Sequence, residues 1–201
     1  MLRSAIAWLV ALAAIAGSAT AQEGPPQVVV ERLNGSLLEV MQEADRLGYE
    51  GRYERLEPVL AETFDFPFMA KVAVGRRWNE LSEAQREQIV RLFSQMSVAN
   101  FAARFDGYGG ERFEIVGERP GPREAVMVES RILRPEEPAV GLDYLLQPSE
   151  GEWRIIDVFL DSKFSELARQ RSEFSSVLSS EGYEGLVTSL EHKIETLSGS
   201  G

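Results

Sequence analysis

Two charged side chains stand where this 201-residue sequence is otherwise apolar, and they are the first candidates for chemistry. Asp157 lies in EWRIIDVFL at 152–160, where Trp153, Ile155, Asp157 and Phe159 alternate with Arg154, Ile156, Val158 and Leu160. Arg171 falls among Phe164, Leu167, Phe174 and Leu178, which share one helical stripe. A buried arginine needs a carboxylate or carbonyl partner, and Asp157 is the obvious one. The pair reads as a structural ion pair between a strand and the helix after it; the competing reading is a guanidinium clamp for a phosphate. A second constellation is Asp157 or Asp143 with Tyr144 in apolar surroundings, where burial would raise the carboxyl pKa and the phenol would act as donor. His192, the only histidine, sits on a terminal helical pattern and reads as a surface or packing residue. With one histidine and no cysteine, a zinc site is not expected. Gly107-Tyr108-Gly109-Gly110 precedes a strand rather than a helix, so it reads as a turn and not a phosphate loop. The sequence supplies no catalytic residues, metal site or cofactor motif that these observations support.

Positioning these residues falls to helices, then strands, then helices. Residues 28–47 carry Val29, Leu33, Leu37, Val40, Met41, Ala44 and Leu47 on one stripe, with Gly48 as a stop. A second helix is expected over 53–63, with Pro58 kinking it or marking its start. Asp65 can cap a short third helix that tolerates Pro67 in its first turn and ends at Gly75. LSEAQ at 81–85 reads as a capping box opening a long helix to about Phe105. After Asp106 the apolar period falls to two, and strands are expected at 112–117, 125–133, 140–146 and 152–160. The links between them are short and rich in Pro and Gly, which favours an antiparallel meander. Helices at 165–178 and 184–196 follow, and 198–201 reads as a disordered tail. The expected class is α+β: N-terminal helices, a four-stranded antiparallel sheet, and C-terminal helices.

The long helix is apolar on more than one side. Ile89, Leu92, Phe93, Met96 and Ala103 form one stripe, while Val98, Phe101 and Phe105 form another nearly opposite it. Such a helix is buried from two directions, either beneath neighbouring helices or against a ligand cavity. Phe64, Phe68 and Val72 share a stripe with Met69 and Ala73 beside it. Bulky, adaptable Phe and Met suit an apolar pocket, and they suit a core equally well. The strand at 152–160, largely apolar on both faces, must be covered twice or must line a cavity.

Five stretches in one order resemble the MlaC, or toluene-tolerance, family of periplasmic lipid-binding proteins, the auxiliary components of ABC transporters. They are FDFPFMAKVAVGRRW at 64–78, LSEAQREQIVRLF at 81–93, FDGYGGERFEI at 105–115, LDYLL at 142–146 and GEWRIIDVFLDSKFSELARQRSEF at 151–174. FDFPFMA and SELARQRSEF look most like the HpnM branch, associated with hopanoid lipids. The resemblance implies an NTF2-like curved sheet and helices enclosing an apolar lipid pocket, with phospholipid or hopanoid as ligand. Candidate lipid-binding residues for that pocket are Phe68, Met69, Val72, Phe93, Met96, Phe101, Phe105, Met127, Tyr144, Leu146, Ile156, Val158, Phe164 and Phe174. The resemblance also implies a soluble carrier that exchanges lipid with an inner-membrane transporter, of RND type for an HpnM-like protein or ABC type for an MlaC-like one, and with an outer-membrane partner. A hopanoid has no obligatory phosphate, which weakens Arg171 as a clamp. From other classes, an NTF2-like pocket enzyme using the Asp/Tyr pair and a ligand-free envelope adaptor remain as alternatives.

Address and charge fit a periplasmic carrier. Arg3, the apolar run 5–16 and Ala19-Thr20-Ala21 read as a secretory signal peptide over 1–21, leaving one domain at 22–197. No later apolar run is long enough to span a bilayer. With no cysteine, stability must come from the core. The formal charge of −11 repels nucleic-acid phosphates and anionic membrane surfaces.

Overall fold

In a computed structural model, residues 24–199 are described. The expected signal peptide and its cleavage point before Gln22 lie outside them, as do residues 200 and 201 of the expected tail. Helix α1 (Pro26–Gln42) buries Val29, Val30, Leu33, Leu37 and Val40. The single helix expected over 28–47 divides at Glu43, and α2 (Ala44–Thr63) follows at once. Gly48 does break the helix, with φ 60° and ψ −175°, a conformation that glycine tolerates. The chain resumes its helix directly afterwards, so α2 continues well before residue 53. Pro58 sits inside α2 on its exposed side, where the carbonyl that it leaves without a partner can meet water.

Local capping rules account for the next two helices. In α3 (Phe66–Val74) the Asp65 side chain accepts from the Phe68 N–H at 3.0 Å, and Gly75 closes the helix at φ 68°. A 3₁₀ segment, Gly75–Glu80, links it to α4 (Glu83–Arg104). Ser82 and Gln85 form a reciprocal capping box at the start of α4.

The sheet has five strands, not four. They are β1 (Arg112–Pro120), β2 (Val126–Arg134), β3 (Glu137–Ser149), β4 (Glu152–Leu160) and β5 (Phe164–Ser165), antiparallel and in chain order. The fifth strand lies where the final helix pair was expected to begin. The turn through Asp161 and Ser162, both at positive φ, folds Phe164 and Ser165 back onto Leu160 and Phe159 before helix α5 (Glu166–Ser180) starts. Near the other end of β4, Phe64 makes a parallel bridge to Ile155, and the Asp65 N–H donates to the Ile155 carbonyl at 2.9 Å. Both ends of this edge are thus paired, which removes an open template for aggregation. Helix α6 (Gly182–Ser198) completes the chain, so the tail expected from residue 198 begins with a helical residue.

One β-bulge decides which side chains meet the helices. Leu145 pairs with Asp157 but Leu146 pairs with Ile155, so Ile156 is the extra residue in β4. Strict alternation puts Ile155 and Asp157 on one face. The bulge instead places Trp153, Ile155, Val158 and Leu160 with the main core, and Ile156 and Phe159 with the small second cluster formed by Ala125, Met127 and Leu145. A one-residue slip turns every later side chain over, as the pleat requires. The main core joins both N-terminal helices, α3 to α6, and Val128, Leu142, Tyr144, Leu146 and Ile155 of the sheet.

Candidate functional site

A cavity of about 460 Å³ opens between the second half of α4, the first turns of α5 and the helix-facing side of the sheet. Its walls are mostly hydrocarbon: Phe64, Met69, Phe101 and Phe105 from the helices and their junction, and Ile132, Val140, Leu142, Val158 and Leu160 from three strands. Val158 and Leu160 face it because of the bulge at Ile156. Seven phenylalanines run in ring contact from solid core to cavity, in the order Phe174, Phe93, Phe66, Phe64, Phe101, Phe105, Phe113, with successive centroids 5.5–6.3 Å apart. Offset and edge-on aromatic contacts of this kind hold a wall rigid at low conformational cost.

Of the residues expected to line a pocket, Met69, Phe101, Phe105 and Val158 do so. Phe93, Met96, Tyr144, Leu146 and Phe174 are buried in the packed core instead, and Val72 packs against it half-buried. Phe68, Met127 and Ile156 belong to the cluster on the opposite sheet face. Phe164 is 68% exposed on β5. A second cavity, about 710 Å³, lies on that opposite face, bounded by Phe68, Ile156, Ala125, Gln147 and the turn residues Pro122, Arg123, Glu124 and Pro148. Phe68, Ala125 and Ile156 give it an apolar side, but the rest of its wall is turn residues and the polar or charged side chains of Arg123, Glu124 and Gln147, so it offers less apolar contact than the first.

The ion pair expected between Asp157 and Arg171 does not form. Asp157 accepts from Ser165 Oγ at 2.5 Å and from the N–H groups of Val158 at 2.8 Å and Leu167 at 3.0 Å, which ties β4 to the start of α5. Burial raises its pKa above the ordinary carboxylate value, and those hydrogen bonds oppose the rise. Arg171 is exposed and lies over Gly75. The stripe on α5 is Leu167, Gln170, Phe174 and Leu178. Helical spacing between Leu167 and Phe174 admits either Gln170 or Arg171, and the packing of α5 buries Gln170. Among the described residues the buried arginine is Arg52, whose guanidinium donates to the Ala102 carbonyl at 2.8 Å and the Ala44 carbonyl at 3.4 Å, clamping α4 to the start of α2. Carbonyl partners, not a carboxylate, satisfy it.

The Asp/Tyr constellation is not assembled. Tyr144 points into the main core, where its hydroxyl donates to Asn34 Oδ1 at 3.3 Å and burial drives its pKa upward. Asp143 accepts from the Ser130 N–H at 3.1 Å and Ser162 Oγ at 2.5 Å. Adjacent residues of a strand face opposite ways, so the two cannot share a substrate. None of Asp143, Tyr144 or Asp157 lines either cavity. His192 is exposed on α6.

Sequence reasoning missed the cavity's polar lining: Ser97, Asn100, Arg104, Arg134, Glu166 and Gln170. Ser97 donates to the Phe93 carbonyl at 2.8 Å, and Arg104 Nε donates to Asn100 Oδ1 at 3.0 Å. For Gln170 a signal existed, since it stands three residues after Leu167 and four before Phe174 on the buried stripe.

The profile of the MlaC protein family matches residues 31–192. No curated protein sequence matches the chain. Among solved structures, the chain is similar to the phospholipid-binding protein from Ralstonia solanacearum, solved in complex with a phospholipid. The TM-score is 0.77 at 20% identity, over 87% of this chain and 99% of that one.

Proposed function

The chain belongs to the MlaC family, and we propose that it is a periplasmic carrier holding a single lipid, phospholipid or hopanoid, with hydrocarbon in the cavity walled by Phe64, Phe101 and Phe105. The observation that carries this reading is the apolar lining of that cavity, on a fold shared with a protein solved in complex with a phospholipid. Each CH₂ exposed to water costs about 0.8 kcal/mol, so moving a free lipid through water would cost on the order of 10–25 kcal/mol. A carrier replaces that water with fixed apolar walls. Cavities of roughly 300–1,000 Å³ are the usual scale for burying most of a small ligand, and about 460 Å³ lies within it.

The carrier passes its lipid between an inner-membrane transporter, of RND or ABC type, and an outer-membrane partner. Two features support a soluble shuttle. No helix among the described residues is long and apolar enough to cross a membrane, and the formal charge is −11, which discourages adsorption to anionic bilayers.

Organic extraction and native mass spectrometry of protein purified from a bacterial envelope test the reading. The expected result is a bound mass of up to one lipid per chain, whose identity separates phospholipid from hopanoid. Protein that stays at its bare mass, even after incubation with phospholipid vesicles, would overturn it.

A further inference from the structure

Phe164 is more exposed, at 68%, than any other large hydrophobic side chain among the described residues. Single exposed hydrophobics are ordinary; the mounting of this one is not. Phe164 is paired with Leu160 across the β4–β5 hairpin, and residues directly opposed in an antiparallel pair stand on one face, with Cβ atoms about 5 Å apart. Leu160 lines the first cavity, as does Glu166, which follows Phe164 closely in the chain. The neighbouring pair keeps the alternation: Ser165 opposes Phe159, which belongs to the cluster on the other sheet face. Phe164 therefore stands at the rim of the cavity, beside its wall and in water.

The hairpin that carries it is held at several points. The Lys163 N–H donates to the Leu160 carbonyl at 3.1 Å, closing a turn whose central residues, Asp161 and Ser162, have φ of 50° and 56°. Turns of this kind favour a glycine, and this one has none. Strand β3 stabilises it instead. The Asp161 N–H donates to the Gly141 carbonyl at 3.0 Å, the Gly141 N–H donates to Asp161 Oδ1 at 3.1 Å, and Ser162 Oγ donates to Asp143 at 2.5 Å. Backbone in a sparsely populated region persists only where its surroundings over-determine it. The fold thus fixes in place a phenylalanine that belongs to neither apolar cluster.

We propose that Phe164 is a cargo contact: lipid hydrocarbon that emerges at the cavity mouth packs on its ring, which extends the apolar wall of Leu160 outward. This rests on the carrier reading and adds a binding residue outside the cavity itself. A lipid held in an open cavity leaves methylenes facing water at the mouth, and the ring of Phe164 faces water beside them. When the two meet, both leave water. Covering about half of a phenylalanine side chain strengthens binding roughly tenfold. The ring needs no rearrangement to do this, because the hairpin already holds it there.

The test loads delipidated full-length protein from vesicles of dioleoylphosphatidylcholine at limiting lipid, and native mass spectrometry reads the loaded-to-bare ratio. Phe164→Ser should lower that ratio roughly tenfold while the lipid-free variant melts with wild type, since the ring belongs to neither cluster. Phe164→Trp reports from the same spot. Its emission, after subtraction of the wild-type signal, should shift to the blue on loading; Trp78 and Trp153 border neither cavity. Wild-type loading by Phe164→Ser, or emission of Phe164→Trp that loading does not move, would overturn the contact and leave the ring to a protein partner. Should the serine variant melt early, the tryptophan signal decides alone. A wild-type protein that takes up no lipid would instead defeat the carrier reading, and this contact with it.

Discussion

Phe93 and Phe101 stand about two turns apart on α4, and they do different work. Phe93 is fully buried, met edge-on by Phe66 at 6.3 Å and Phe174 at 6.1 Å. Phe101 is half-buried, edge-on to Phe64 at 5.8 Å and stacked on Phe105 at 5.7 Å, and it borders the cavity. Residue type, helix and chain of rings are shared. What differs is the far side, which is protein for Phe93 and the cavity for Phe101. One aromatic run therefore belongs to the core at one end and to a candidate binding wall at the other.

The largest expected effect tests that contrast directly. Phe93→Ala should lower unfolding free energy by about 3–5 kcal/mol, because it opens a void in closely packed surroundings. Phe101→Ala should cost less than half as much in the same urea titration, yet reduce lipid uptake more than its stability loss explains. Equal destabilisation by the two would erase the distinction between core and cavity ends.

A second pair compares two arginines. Arg52→Ala should cost about 2–3 kcal/mol, since it removes charge-assisted hydrogen bonds to the Ala44 and Ala102 carbonyls. Arg171→Ala should stay within about 0.5 kcal/mol, as expected for an exposed side chain away from special features. Thermal melts of both variants check the order. A large effect at Arg171 would restore the ion pair that the structure replaces.

The smallest effect concerns the tether at the start of α5. The folded pKa of Asp157 is raised, chiefly by burial. Its stabilising contribution is therefore full below the unfolded carboxylate value and is lost as pH rises through the folded pKa. Asp157→Asn keeps an acceptor for the Leu167 N–H and carries no charge. Its stability relative to wild type should thus improve from pH 3 to pH 7, as read by melts across that range. A gap that is constant with pH would show that the Asp157 pKa is the same folded and unfolded.

Much of the fold was legible because its signals are local. Asp65, Gly75 and the Ser82/Gln85 box each act over a few residues, and each ends or starts a helix where the sequence says so. The meander followed from short Pro- and Gly-containing links. The misses came from contacts between distant segments. Nothing in EWRIIDVFL announces that Ile156 will be bulged out, because the bulge exists only in the pairing with Leu145 and Leu146. Arg52 sits among Tyr53, Glu54 and Arg55 with no local mark that α4 will cover it. The site itself was half legible. Phe101 and Phe105 were found from their second stripe, but Phe93 and Phe174 obey the same periodicity and differ only in what later packs against them.

The central claim, that lipid hydrocarbon occupies the cavity beside Phe101, is tested most directly by photocrosslinking with a phospholipid bearing a diazirine near the acyl terminus. Peptide mapping of the loaded, full-length protein should place the adducts on segments holding Phe101 and Phe105, Leu142, and Val158 or Leu160. Adducts concentrated on Phe68, Ala125 and Gln147, the walls of the second cavity, would contradict it.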